Sequence, residues 1–122
     1  MPVIYSNTIR SVGSEASSFL TQKMLVTFGD QAPEGLRDFC YALPAATCTG
    51  TIKVGDTVLI DGRAFPITAL GEVAQRNLDS LGHVTLVFDG APDPRLDGAL
   101  HVATTGDLPS PQQGSTIVIE SA

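Results

Sequence analysis

Thr57-Val58-Leu59-Ile60-Asp61-Gly62-Arg63-Ala64-Phe65-Pro66-Ile67 is the stretch that decides the fold class. Two β-type runs flank Asp61-Gly62. An Asp-Gly pair suits a two-residue hairpin turn, because both turn positions take positive φ there. Pro66 has no N–H for a ladder bond, which predicts an edge or a bulge for the second strand. Outward from this hairpin the same texture repeats. Val3-Ile4-Tyr5 with Thr8-Ile9-Arg10 reads as a first strand. Met24-Leu25-Val26-Thr27-Phe28 reads as another, stopped by Gly29-Asp30, and residues 83–88, 100–104 and 116–120 follow the same pattern. Helical signals are fewer. Residues 15–22 could be capped by Ser14. Residues 33–42 open on Pro33, where a missing N–H does no harm, and put Leu36, Phe39 and Cys40 on one face. Residues 73–81 keep Val73, Asn77, Leu78 and Leu81 in register and stop at Gly82. The expectation is a mainly β chain: a small β-barrel-like domain of about seven strands with two or three short helices, one domain over residues 1–122.

Composition narrows the function classes. Seven Lys and Arg against 13 Asp and Glu give a net charge of −6. Nucleic-acid binding rests on clustered cations meeting phosphates, so that class is excluded, as is adhesion to an anionic lipid surface. A mean hydropathy of +0.17 argues against disorder. The longest apolar runs are about five residues, too short to insert in a membrane. The N-terminus has no basic segment followed by an apolar core, which predicts a cytoplasmic protein. Cys40 and Cys48 form no CxxC motif, and with only two histidines far apart in sequence they make no zinc pattern. Two reduced thiols in or near the core are expected, with no metal and no cofactor. The acidic stretch with Asp89, Asp93 and Asp97 has the wrong spacing for a calcium loop and reads as a solvated turn. Phosphate-loop, dinucleotide and hydrolase motifs do not occur.

The histidines are the main chemical candidates. In His83-Val84-Thr85-Leu86-Val87-Phe88 the apolar face is Val84, Leu86 and Phe88, so His83 takes the less buried one. In Ala99-Leu100-His101-Val102-Ala103 the same alternation sets His101 beside two small residues, away from Leu100 and Val102. Imidazoles on such faces suit proton or phosphoryl transfer, and equally suit hydrogen-bonded or solvated side chains. Local spacing alone does not bring them together.

Taken in order, several segments resemble the enzyme IIA component of the glucitol/sorbitol family of the bacterial phosphoenolpyruvate-dependent sugar phosphotransferase system. They are Val3-Ile4-Tyr5, Met24-Leu25-Val26-Thr27-Phe28, Ala32-Pro33 with Cys40, and Phe65-Pro66-Ile67-Thr68-Ala69-Leu70-Gly71. Val73-Ala74 with Asn77-Leu78, then Leu81-Gly82-His83-Val84-Thr85-Leu86 with Phe88-Asp89-Gly90, and His101-Val102-Ala103 complete the set. The resemblance implies the family fold and a relay role without metal or bound cofactor. The IIA protein takes a phosphoryl group from phosphohistidine on HPr and passes it to the IIB part of a IIB/IIC permease, which phosphorylates the incoming hexitol.

The resemblance also implies a departure. It puts the family's acceptor histidine three positions beyond the cysteine matched by Cys40, and that position here is Leu43, in Cys40-Tyr41-Ala42-Leu43-Pro44. Leucine has no nucleophilic atom. His83 and His101 match family positions that support the site, and they are the only imidazoles in the chain. They are therefore the candidate catalytic residues, His83 as acceptor and His101 as its neighbour. Cys48 is a third candidate; Thr47 and Thr49 are weaker nucleophiles. The alternative is a non-catalytic regulatory or binding module, in which Leu43 and Pro44 turn a reactive rim into an apolar contact surface. An unrelated small-ligand barrel has only the generic β pattern behind it.

Overall fold

The computed structural model describes residues 2–29, 32–94, 96–104 and 106–122. Met1, where the expected domain starts, and Asp30, part of the expected stop after Phe28, lie outside the described residues. The Asp61-Gly62 turn forms as its chemistry dictates, with φ of 51° at Asp61 and 84° at Gly62. The strands are β1 (Val3–Thr8), β2 (Ser11–Val12), β3 (Met24–Phe28), β4 (Tyr41–Ala42), β5 (Thr57–Ile60), β6 (Arg63–Leu70), β7 (Val84–Val87), β8 (Ala99–Val102) and β9 (Thr116–Glu120). A 3-10 helix (Ala16–Gln22) and two α-helices, α1 (Glu34–Arg37) and α2 (Ala74–Leu81), lie between them. The two strands beyond the expected seven are β2 and β4, each only two residues long.

All nine strands share one ladder in the order β1-β9-β5-β6-β8-β7-β3-β4-β2. Pairs β3/β4 and β7/β8 are parallel and the others antiparallel. The two ends of that order, β1 and β2, follow each other in the chain. Between them Ile9 N–H donates to Ser115 O and Arg10 N–H to Ala42 O, both at 2.8 Å. The sheet therefore curls round on itself, as the barrel-like expectation required. Side chains such as Leu25, Phe65, Leu86 and Leu100 fill its inside, each no more than 2% exposed. Burying a side chain of this kind stabilises by about 1.5–3 kcal/mol. α2 lies over this core through Ala74 and Leu78. It ends where expected, at Gly82, whose φ of 66° lets its N–H return to Leu78 O at 3.0 Å. Among the described residues no helix is long and apolar enough to cross a membrane.

Three local expectations need correction. The helix expected over 33–42 stops after one turn at Arg37. Tyr41, only 1% exposed, joins the sheet instead, and Pro44 disfavours helical backbone at the residue before it. Burial of a large ring beats a helical spacing that leaves Leu36 44% exposed. Residues 16–22 form a tighter 3-10 turn, entered at Glu15 with no side-chain cap, so Ser14 does not cap it. Pro66 is not on an edge, since β6 lies between β5 and β8. The strand does carry a bulge, but beyond the proline: the β6/β8 register slips between Ile67 and Ala69, while Pro66 stays in register with Thr57.

Candidate functional site

The two chain segments that matter meet at the C-terminal end of β3, which lies between β4 and β7. Leu43 follows β4 on one side, and His83 precedes β7 on the other. Leu43 N–H donates to Phe28 O at 3.1 Å, and Gly29 N–H donates to Leu81 O at 2.8 Å. A Cβ on Gly29 would sit 2.7 Å from Leu81 O, so only glycine allows these turns to touch.

At this junction His83 is half-buried. Its ring stacks on Phe28, with centroids 4.4 Å apart and planes 28° apart. Its Nδ1 lies 3.1 Å from Thr27 O. A carbonyl oxygen only accepts, so Nδ1 carries the proton and the lone pair is on Nε2. In the neutral ring this contact therefore leaves Nε2 as the nucleophilic atom. Phe28 also lines a cleft of about 280 Å³ with Arg10, Ser11, Arg37 and Cys40. Arg37 Nε–H donates to Ala32 O at 3.0 Å, which anchors one guanidinium beside that cleft.

Leu43 is not on a rim. It is 1% exposed and packs in the main core, lining a small apolar gap with Tyr5, Thr27, Leu78, Val84 and Leu100. The apolar contact surface expected from Leu43 and Pro44 is therefore overturned at Leu43: an aliphatic side chain gains more by turning into the core. Pro44 next to it is half-buried and accepts a hydrogen bond from Asn7 Nδ2 through its carbonyl.

His101 takes the strand face expected for it but not the exposure, at only 1%. Its Nδ1–H donates to Asp89 Oδ1 at 2.8 Å, and that oxygen also accepts the Ala91 N–H at 3.0 Å. It borders a cleft of about 420 Å³ with Lys23, Met24 and Leu96. The structure does not bring the two histidines together. His101 is in register with Val87, four residues along β7 from His83. At roughly 3.3 Å per residue that places them about 13 Å apart along the strand.

The remaining nucleophile candidates are poorly placed. Cys48 is half-buried, and its backbone N–H donates to Asp79 Oδ1 at 2.7 Å. Burial first, then the Asp79 hydrogen bond and charge, push its thiol up to about 12. It stays protonated near neutrality, and a thiol is a weak nucleophile. Burial also raises the Cys40 thiol. Thr49 is exposed and its N–H is tied to Ile4 O at 2.7 Å; Thr47 is exposed. Among the described residues no group of three or more His, Cys, Asp or Glu side chains could hold a metal ion.

Sequence reasoning missed Thr27, Phe28 and Asp89 as functional neighbours. Thr27 and Phe28 read as ordinary strand residues, and Asp89 as a turn signal. The β3/β7 pairing brings Thr27 opposite Val84, and the contacts with the His83 ring follow only from that tertiary pairing.

Residues 4–118 match the family described as PTS system glucitol/sorbitol-specific IIA component. The PTS system glucitol/sorbitol-specific EIIA components of Shigella flexneri and Escherichia coli (strain K12) are similar over their length. Each is 38% identical over 122 residues, covering 99% of this chain and 98% of the relative. Among solved structures, the PTS system IIA component from Enterococcus faecalis V583 superposes with a TM-score of 0.75. It is 26% identical, over 93% of this chain and 97% of that one.

Proposed function

We propose, for a chain that belongs to the glucitol/sorbitol-specific IIA component family of the phosphotransferase system, a cytoplasmic phosphoryl relay that runs through His83. The donor is phosphohistidine on HPr and the recipient is the IIB part of a IIB/IIC permease for a sugar alcohol. The usual acceptor position is Leu43, which carries no nucleophile. The observation that supports His83 is its Nδ1 contact with Thr27 O at 3.1 Å on a half-buried ring. That contact leaves the Nε2 lone pair for attack, beside the strand end that also holds residue 43. In the step itself Nε2 bonds to phosphorus while the N–P bond to the HPr imidazole breaks, and the donor ring keeps the released electron pair. No proton has to leave Nε2. Transfer to the IIB protein repeats the exchange in the other direction.

The test is incubation with phosphoenolpyruvate, enzyme I and HPr, followed by intact mass. The wild type should gain one phosphoryl group, and His83→Ala none. A phosphorylated His83→Ala removes His83 from the role.

One observation favours the second reading, a non-catalytic regulatory or binding module. Leu43 is 1% exposed, so the side chain at the position read as the family's acceptor is turned into the core here. That reading predicts no phosphoryl gain by the wild type, with binding to the IIB protein retained.

A further inference from the structure

We propose that Thr27 is the positioning residue that sets the tautomer of His83; this rests on the reading of His83 as the acceptor. Thr27 is 0% exposed. In the interior of a sheet a valine of the same shape would pack as well and bury no hydroxyl, so the hydroxyl needs a reason to be there. It brackets His83. Oγ1–H donates to Gly82 O at 2.9 Å, and Val84 N–H donates to Oγ1 at 3.2 Å. The carbonyl of the same residue takes the Nδ1–H of His83 at 3.1 Å. One residue therefore grips the backbone on both sides of the histidine and the ring as well.

The grip matters because His83 follows Gly82, which sits at φ of 66° and has no side chain of its own to anchor the turn. The Phe28 ring limits how the imidazole tilts, but stacking does not choose between the two nitrogens. Only the carbonyl does that, and only while the 82–84 backbone stays in register with it. Without the hydroxyl, Gly82 O and Val84 N–H lose this partner, and the residues on either side of His83 are held less closely to Thr27 even though Gly82 N–H still reaches Leu78 O. The ring then also samples the Nε2–H tautomer, in which Nε2 has no lone pair to offer.

Nitrogen-resolved NMR of the His83 ring reads the tautomer directly, and the phosphoryl-acceptance rate is followed alongside. The wild type should show the Nδ1–H tautomer. Thr27→Val should show both tautomers and accept phosphoryl on the order of tenfold more slowly, the factor that one hydrogen bond of ordinary strength is worth. Thr27→Ser keeps the hydroxyl and should restore both readouts. A wild-type ring in the Nε2–H form overturns the proposal, as does Thr27→Val with an unchanged spectrum and rate. If Thr27→Val does not fold, Thr27→Ser decides: loss of the Nδ1–H form there overturns it, and retention supports it. A wild type that shows the Nδ1–H tautomer yet takes no phosphoryl group sinks the relay reading and leaves the role of Thr27 standing.

Discussion

Two imidazoles flank β7 on the same outer face of the sheet, His83 just before its start and His101 on β8 beside its end, and the fold treats them in opposite ways. At the start of the strand His83 is half-buried, leans on an aromatic ring and gives its Nδ1–H to a neutral carbonyl. At the far end His101 is 1% exposed and gives its Nδ1–H to the carboxylate of Asp89. A carbonyl partner selects a tautomer and leaves the ring accessible to a docking protein. A carboxylate partner on a buried ring ties two chain segments together and makes the ring part of the fold. The same residue type on the same face is thus the proposed transfer group in one place and a ring held by a carboxylate in the other. What separates them is partner chemistry and cover, not position on the strand.

The largest stability effect should come from the pinned end. Asp89→Ala leaves His101 Nδ1–H without this partner in a buried setting and should cost about 3 kcal/mol, read as a lower urea midpoint. Phosphoryl acceptance per folded molecule should not change. If it is lost in the folded variant, the His101 end belongs to the transfer site and the contrast fails. Next in size, Leu43→His puts a polar ring in an apolar core position and should cost roughly 2 kcal/mol by the same measurement. An unchanged midpoint would mean that residue 43 can turn outward, which would restore the rim.

Phe28→Leu sharpens the accessible end. It removes the stacked ring, worth about 1 kcal/mol beyond buried area, and should slow acceptance by roughly fivefold. No change in rate would show that stacking does not orient His83. The mildest effect appears only in alkali. The Cys48 thiol rises from 9.0 to about 12 in the folded chain. Between those values the unfolded chain has lost a proton that the folded chain keeps, so this contribution to stability is complete below pH 9 and is lost as pH rises toward 12. Burial raises Tyr5, Tyr41 and Cys40 in the same direction. Cys48→Ala should therefore flatten, without abolishing, the fall in stability over that range. A fall of identical slope would contradict the burial of this thiol.

How much of this was legible in the sequence depended on the range of the interaction that decided it. The hairpin at Asp61-Gly62 and the helix stop at Gly82 are set by the φ of single residues, and both formed as read. The 33–42 helix misled because the spacing of Leu36, Phe39 and Cys40 is local, whereas the burial of Tyr41 is tertiary. His83 was read on the right face, since alternation along one strand determines it. The cover over His101 was not legible: Asp89 reaches it from beyond the end of β7, and residues around Lys23 and Leu96 border it from elsewhere in the chain. The inward turn of Leu43 was equally hidden. The resemblance led to an expectation of a reactive rim there, while the physics of an aliphatic side chain sent it to the core.

In the proposed relay His83 Nε2 takes over where residue 43 offers no nucleophile. The most direct measurement is peptide-level location of the phosphoryl group after exposure to phosphoenolpyruvate, enzyme I and HPr, under alkaline conditions that preserve phosphohistidine. A single modification is expected, on the peptide that contains His83. A modification on any other residue, or an unmodified chain beside a fully phosphorylated HPr, contradicts it.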